Sequence, residues 1–109
     1  MRLVLLLIAV AALSIPAPAM SQAHAPALQL VCSTTQVADL ARQVVGDRCA
    51  VHCILAPGAD PHTYMPTPRD AELVRGADLC LQNGLHLEGN NWMGKLAQDA
   101  GKPIMVCAE

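Results

Sequence analysis

The chain has 109 residues and a net charge of −2, which suits one domain or less and offers no basic surface for nucleic acid. Tyr64 and Trp92 are its only aromatic residues, so base stacking and aromatic ligand cages have little to work with. Five cysteines, four histidines and eight prolines are the unusual allotments.

Residues 1–23 read as an export signal. Arg2 supplies a positive start, Leu3 to Leu13 is an unbroken apolar run, Pro16 breaks it, and small residues follow. Cleavage is expected after Ala19 or after Ala23. The run is shorter than the roughly 20 residues that span a bilayer, which argues against an uncleaved anchor. The first cysteine is Cys32, far from either cleavage position. A lipid-anchored protein needs a cysteine as its first mature residue, so the expectation is a mature chain free in the periplasm, not lipid-anchored. A domain of the remaining size is marginal without further support.

After a Pro/Ala tether, Leu28 to Cys32 reads as a buried strand. Ser33-Thr34-Thr35-Gln36 offers a capping box, with Ser33 and Gln36 placed to satisfy free backbone N–H groups. Val37, Leu40, Ala41, Val44 and Val45 then have helical spacing, and Gly46 closes that helix. Cys49 to Leu55 is a second strand. Pro57 to Pro68 holds four prolines and Gly58, a stiff loop. Thr67-Pro68-Arg69-Asp70 opens a second helix with Thr67 as N-cap, and Gly76 ends it. Ala77 to Gln82 is a third strand with a sharp turn at Asn83-Gly84. A weaker helical pattern runs from Asn91 to Ala100, and Ile104 to Cys107 is a fourth strand. Alternating strands and helices with apolar strands predict an α/β fold, a parallel sheet flanked by helices on both faces. Ligands in such sheets bind at the carboxyl ends of strands, where the Pro57–Pro68 loop emerges.

Cys32, Cys53, Cys80 and Cys107 sit in apolar runs, where cysteine behaves as a small hydrophobe. Cys49 and Cys53 share a strand face but are too distant to bond, and the odd count leaves at least one thiol unpartnered. Reduced structural cysteines are the expectation, with one bridge the rival.

Asp60-Pro61-His62-Thr63-Tyr64 is the stretch that carries chemistry. Neutral imidazole is a common ligand of zinc and other first-row divalent metals. Flanking prolines restrict φ and lower the entropy lost on fixing the ring. A single loop histidine is more often merely solvated, so spacing alone does not decide. His52 lies within a strand and is expected on a polar face or in a hydrogen bond; His86 follows a turn and His24 lies in the tether. Nothing in the spacing of His62, His86 and a cysteine fixes a tetrahedron. Asp60 and Asp70 read as turn and cap residues. Neither a nucleophile–base pair nor a phosphate-binding glycine loop is visible, so the residues favour a binding module over an enzyme.

Four blocks in order, Pro57-Gly58-Ala59-Asp60-Pro61-His62-Thr63-Tyr64, Thr67-Pro68-Arg69-Asp70, Gly76-Ala77-Asp78-Leu79 and Asn83-Gly84-Leu85-His86-Leu87-Glu88, resemble the periplasmic zinc/manganese solute-binding proteins of metal ABC importers. The resemblance runs from about Leu28 to the end. It implies two α/β lobes joined by a long helix, with zinc or manganese held between them as transported ligand and passed to an ABC permease in the inner membrane. Residues 24–109 would be a partial N-terminal lobe. His62 maps onto the first metal ligand, and His86 maps onto none. The family's other ligands lie in segments this sequence does not contain, so the chain alone is expected to be a fragment unable to hold metal. A monomer is expected, and the charge argues against a nucleic-acid partner. The rival readings are a small periplasmic thiol/redox protein and a non-functional remnant.

Overall fold

A computed structural model describes residues 27–109; the expected signal peptide, residues 1–23, and His24 lie outside the described residues. Four strands alternate with three helices: β1 (Leu28–Cys32), α1 (Thr35–Val45), β2 (Cys49–Cys53), α2 (Pro68–Arg75), β3 (Leu79–Gly84), α3 (Trp92–Asp99) and β4 (Ile104–Ala108). A short 3-10 turn at Gly46–Arg48 joins α1 to β2. The strands form one sheet in the order β2-β1-β3-β4, and every neighbouring pair is parallel. The expected α/β architecture is therefore present.

Burial follows from that order. The inner strands β1 and β3 contribute Leu30, Val31, Cys32, Cys80 and Leu81 to the core, while the edge strand β2 is only half-covered and β4 exposes Met105, Val106 and Cys107. One face packs Val31, Leu55 and Cys80 against Val74 of α2 and Trp92, Met93 and Ala97 of α3. The other packs Leu30, Cys32 and Leu81 against Val37, Ala38 and Ala41 of α1. Helices thus cover both faces, as a parallel sheet requires.

Four expectations are corrected. The capping box expected of Ser33 and Gln36 does not form. Thr34 is the N-cap of α1, its hydroxyl accepting from the Val37 N–H at 3.4 Å, and Ser33 is drawn into the core instead. The capping box lies on α2, where Thr67 and Asp70 exchange side-chain-to-backbone bonds across the first turn that begins at Pro68. On α1 the buried stripe is Val37, Ala38 and Ala41, with Leu40 62% and Val44 74% exposed. A helix this short, lying flat on a sheet, covers one contiguous stripe. Small alanines permit close approach, and the two larger apolar residues fall outside it. Strand β2 ends at Cys53 rather than Leu55, although Ile54 and Leu55 still donate to the carbonyls of Cys32 and Ser33.

The fourth correction concerns Asn83-Gly84. These residues continue β3 and Gly84 pairs with Ala108; the turn begins only at Leu85. Gly84 has φ +90, and a side chain there would collide with the Ala108 carbonyl and the Val106 side chain. The glycine serves close strand approach, a role that looks like a turn signal in one dimension.

Candidate metal-ligand loop

The carboxyl ends of β1, β2 and β3 converge where the chain, after crossing from β1 to β2, returns to the other side of β1. Sheets of this kind hold ligands at that reversal of strand order. A cleft of about 270 Å³ opens there, lined by Thr34 and Gln36 after β1, Leu55, Ala59 and His62 after β2, and Leu87 after β3.

His62 projects from the loop into solvent, and its ring is oriented by its neighbour. Asp60 Oδ1 accepts the His62 backbone N–H at 2.9 Å and lies 3.2 Å from ring Nδ1, while Asp60 Oδ2 accepts the Thr63 hydroxyl at 3.2 Å. A carboxylate tied to one ring nitrogen directs the other outward, the arrangement in which metal-ligating histidines are held. Asp60, expected as a turn residue, is one, and it also sets the ring.

The His62 backbone N–H above all, and then the histidine ring and the Thr63 hydroxyl, hold the exposed Asp60 carboxyl below its ordinary value of 3.8. A carboxylate depressed in the folded state supports the loop above the unfolded value and loses that support as pH falls through the folded one. The His62 and Thr63 amide resonances are therefore expected to move in an acid titration with a midpoint below 3.8. A midpoint at or above that value would mean the Asp60 turn does not form in solution.

Four contacts bind the loop to the domain. Trp92 Nε1 donates to the Pro61 carbonyl at 2.9 Å. Tyr64 packs on Trp92 with ring centroids 5.0 Å apart, and its hydroxyl donates to Asp70 Oδ2 at 2.8 Å. Burial, followed by that hydrogen bond, pushes the Tyr64 phenol up to about 12. Asp70 Oδ2 also accepts from the Thr67 N–H and hydroxyl, so one buried oxygen joins the loop to the start of α2. Finally, Gly89 lies directly under the His62 carbonyl, where any side chain would strike it.

Glu88 is the residue that the sequence left without a role. It is 3% exposed and its carboxylate accepts the Ser33 hydroxyl at 2.6 Å, the Asn83 N–H at 2.6 Å and the Gly84 N–H at 3.1 Å. It ties the end of β3 to the segment after β1, next to Gly89 and the His62 loop. An acid following a strand end by four residues is the available signal, but nothing local marks it as buried.

The other histidines stand apart from His62. His52 Nε2 lies 2.8 Å from Gln29 Oε1 in a strand-to-strand hydrogen bond, as its strand position suggested. His86 is exposed at φ +59 in the turn after β3. Among the described residues no three His, Cys, Asp or Glu side chains are grouped to hold a metal ion. All five cysteines are free thiols, with Cys32 and Cys80 buried, Cys49 and Cys53 partly covered and Cys107 exposed.

The sequence matches the family model described as Zinc-uptake complex component A periplasmic over residues 30–109. The chain belongs to this family. It is 39% identical over 77 residues to the metal ABC transporter substrate-binding lipoprotein SsaB of Streptococcus sanguinis, covering 69% of this chain and 25% of that protein. It is 37% identical over 84 residues to the manganese ABC transporter substrate-binding lipoprotein PsaA of Streptococcus pneumoniae, covering 75% and 27%. The chain thus spans about a quarter of the length of these relatives. Its fold superposes on the periplasmic zinc binding protein TroA from Treponema pallidum with a TM-score of 0.65 at 30% identity, covering 72% of this chain and 28% of TroA. The Mn-bound periplasmic metal binding protein from Candidatus Liberibacter asiaticus matches at 0.64 and 30%, covering 72% and 30%. The four-stranded sheet with its helices is the N-terminal lobe of this type of receptor.

These relatives correct one expectation. SsaB and PsaA are lipoproteins, which contradicts the expected mature chain free in the periplasm without a lipid anchor. The first cysteine, Cys32, lies inside the packed strand β1, so its position alone is a poor guide to anchoring.

Proposed function

We propose that this chain forms the N-terminal, metal-receiving lobe of an extracytoplasmic solute-binding receptor for an ABC importer, with zinc or manganese as cargo and His62 as the ligand from this lobe. The observation that carries the reading is the Asp60-oriented His62 ring on the carboxyl rim of a parallel sheet. The names of the relatives, manganese and zinc binding proteins, support the metal class. Residues 24–109 supply one wall of the site, residues 1–23 direct export, and the partner is a membrane permease.

A divalent ion held by protein alone needs several donors, so one imidazole with no grouped companions among the described residues gives weak binding. The lobe acts as a monomer, and its net charge of −2 leaves metal rather than nucleic acid as the recognised species.

The test is nuclear magnetic resonance of the histidine rings. Substoichiometric Mn2+ is expected to broaden the His62 ring signals before those of His52, and Zn2+ to shift them. His62→Ala should abolish the strongest response while leaving the amide spectrum folded. Equal broadening of all histidines, or an unchanged Zn2+ titration in the variant, removes His62 from the site and the reading with it.

A further inference from the structure

The cysteines lie outside the metal-ligand loop, and the sheet register sorts them. Cys32 ends β1 and Cys53 ends β2, and the two are direct partners across the parallel pair. Neighbouring strands run about 4.8 Å apart, within the roughly 4.4–6.8 Å that separates the Cα atoms of disulfide-bonded cysteines. Both side chains point to the α1 face: Cys32 belongs to the cluster under that helix and Cys53 packs against it.

No other pair shares this placement. Cys49 lies on the face of Cys53 but four residues away along β2, about 13 Å at strand rise. Cys80 belongs to the core on the opposite face. Cys107 is on β4, with β3 between it and β1.

Access is graded within the pair. Cys32 is fully buried, whereas Cys53 lines the open groove of about 1200 Å³ between α1 and α2 along the free edge of β2. Its Sγ donates to the Leu55 carbonyl at 3.2 Å.

The geometry points to Cys32 and Cys53 as a cross-strand disulfide site, closed by exchange with the disulfide of an external thiol oxidant and locking the carboxyl ends of β1 and β2 together. Cys53, the accessible member, loses its proton and attacks one sulfur of the oxidant, forming a mixed disulfide and expelling a thiolate that takes up the proton. Cys32 then attacks the Cys53 sulfur, forming the Cys32–Cys53 bond and releasing the second thiolate with the second proton. Two protein thiols are oxidised and one disulfide is reduced to two thiols, so electrons balance. Burial, and then the neighbouring Cys53, push the Cys32 thiol up to about 12, and burial raises Cys53 as well. Closure is therefore slow at neutral pH and faster in alkali, because the attacking species is the thiolate.

Oxidised glutathione is the probe. The folded chain is incubated with it, free thiols are alkylated, and tryptic peptides are mapped without reduction. Arg42 and Arg48 separate the Cys32 peptide from the peptide that carries both Cys49 and Cys53, so Cys49→Ala makes the assignment unique. Titratable thiols in denaturant should fall from five to three in the wild type and by two, to those of Cys80 and Cys107, in Cys49→Ala, with the Cys32 and Cys53 peptides linked in both proteins. Linkage through Cys49, Cys80 or Cys107, persistence of all five thiols in a chain shown folded by circular dichroism, or linkage appearing only when oxidant is added in denaturant each overturns the proposal. None of these readouts involves metal, so the outcome is separate from that of the His62 titration.

Discussion

Glu88→Ala should destabilise the domain by about 3 kcal/mol or more, enough to remove a large part of the stability of a domain this small. The carboxylate is buried and accepts three hydrogen bonds, two from backbone N–H groups at the end of β3 and one from Ser33 after β1. Truncation leaves those donors without partners in a region where water has little access, and a hydrogen bond to an ionised group contributes about 1.5–3 kcal/mol. For a domain of 60–100 residues the melting temperature should fall by about 12–24 °C. Glu88→Gln, which keeps one accepting oxygen, should lie between wild type and Ala. Ser33→Ala removes one donor and should cost about 1.5–3 kcal/mol, and the double variant should lose less than the sum because the two share a bond. A fall of only a few degrees in Glu88→Ala would show that water replaces the carboxylate and that it is not what fastens β3 to β1.

Gly89→Ala is the second large effect, expected at about 2–4 kcal/mol. Two causes combine. The residue sits at φ +52, a conformation strained for an L side chain, and its added methyl would fall on the His62 carbonyl oxygen. The backbone on one side is fixed by the Glu88 hydrogen bonds and on the other by Trp92 bonding to Pro61, so relief means pushing the His62 loop outward. Gly58→Ala is the matched control. Its φ is +82, but nothing lies within 4 Å of the added methyl, so only the backbone strain remains, about 1 kcal/mol. Chemical denaturation gives the two costs, and amide shifts of His62 and Thr63 report the displacement. Equal costs at the two glycines would mean that the loop yields freely and that Gly89 does not set the height of His62.

The loop chemistry shows how much a local reading reaches. Pro68 after Thr67, with Asp70 three residues past the cap, is a pattern whose atoms all lie within one turn, and the structure forms that capping box. Asp60 as a turn former is equally local, because its carboxylate serves the N–H two residues on. Ser33 fails for the opposite reason. Its hydroxyl has a local option at the helix start and a distant one at Glu88, 55 residues away, and the buried carboxylate wins because a charged acceptor in the core binds a donor more strongly than a helix end does. Asn83-Gly84 fails likewise, since its conformation answers to β4 and to Glu88 rather than to its neighbours.

The sequence by itself determined the alternation of strands and helices, the parallel sheet, the two-faced core and His62 as the residue to watch, because these rest on hydrophobic period and on backbone restrictions that act within a few residues. Only the tertiary structure decided that Glu88 is a buried fastening, that Gly89 props the His62 loop, that Leu40 and Val44 face solvent, and that Cys32 and Cys53 stand side by side. Each of these depends on which strand lies beside which. Neighbour order is settled by the packing of the whole sheet, and no stretch of chain encodes it alone.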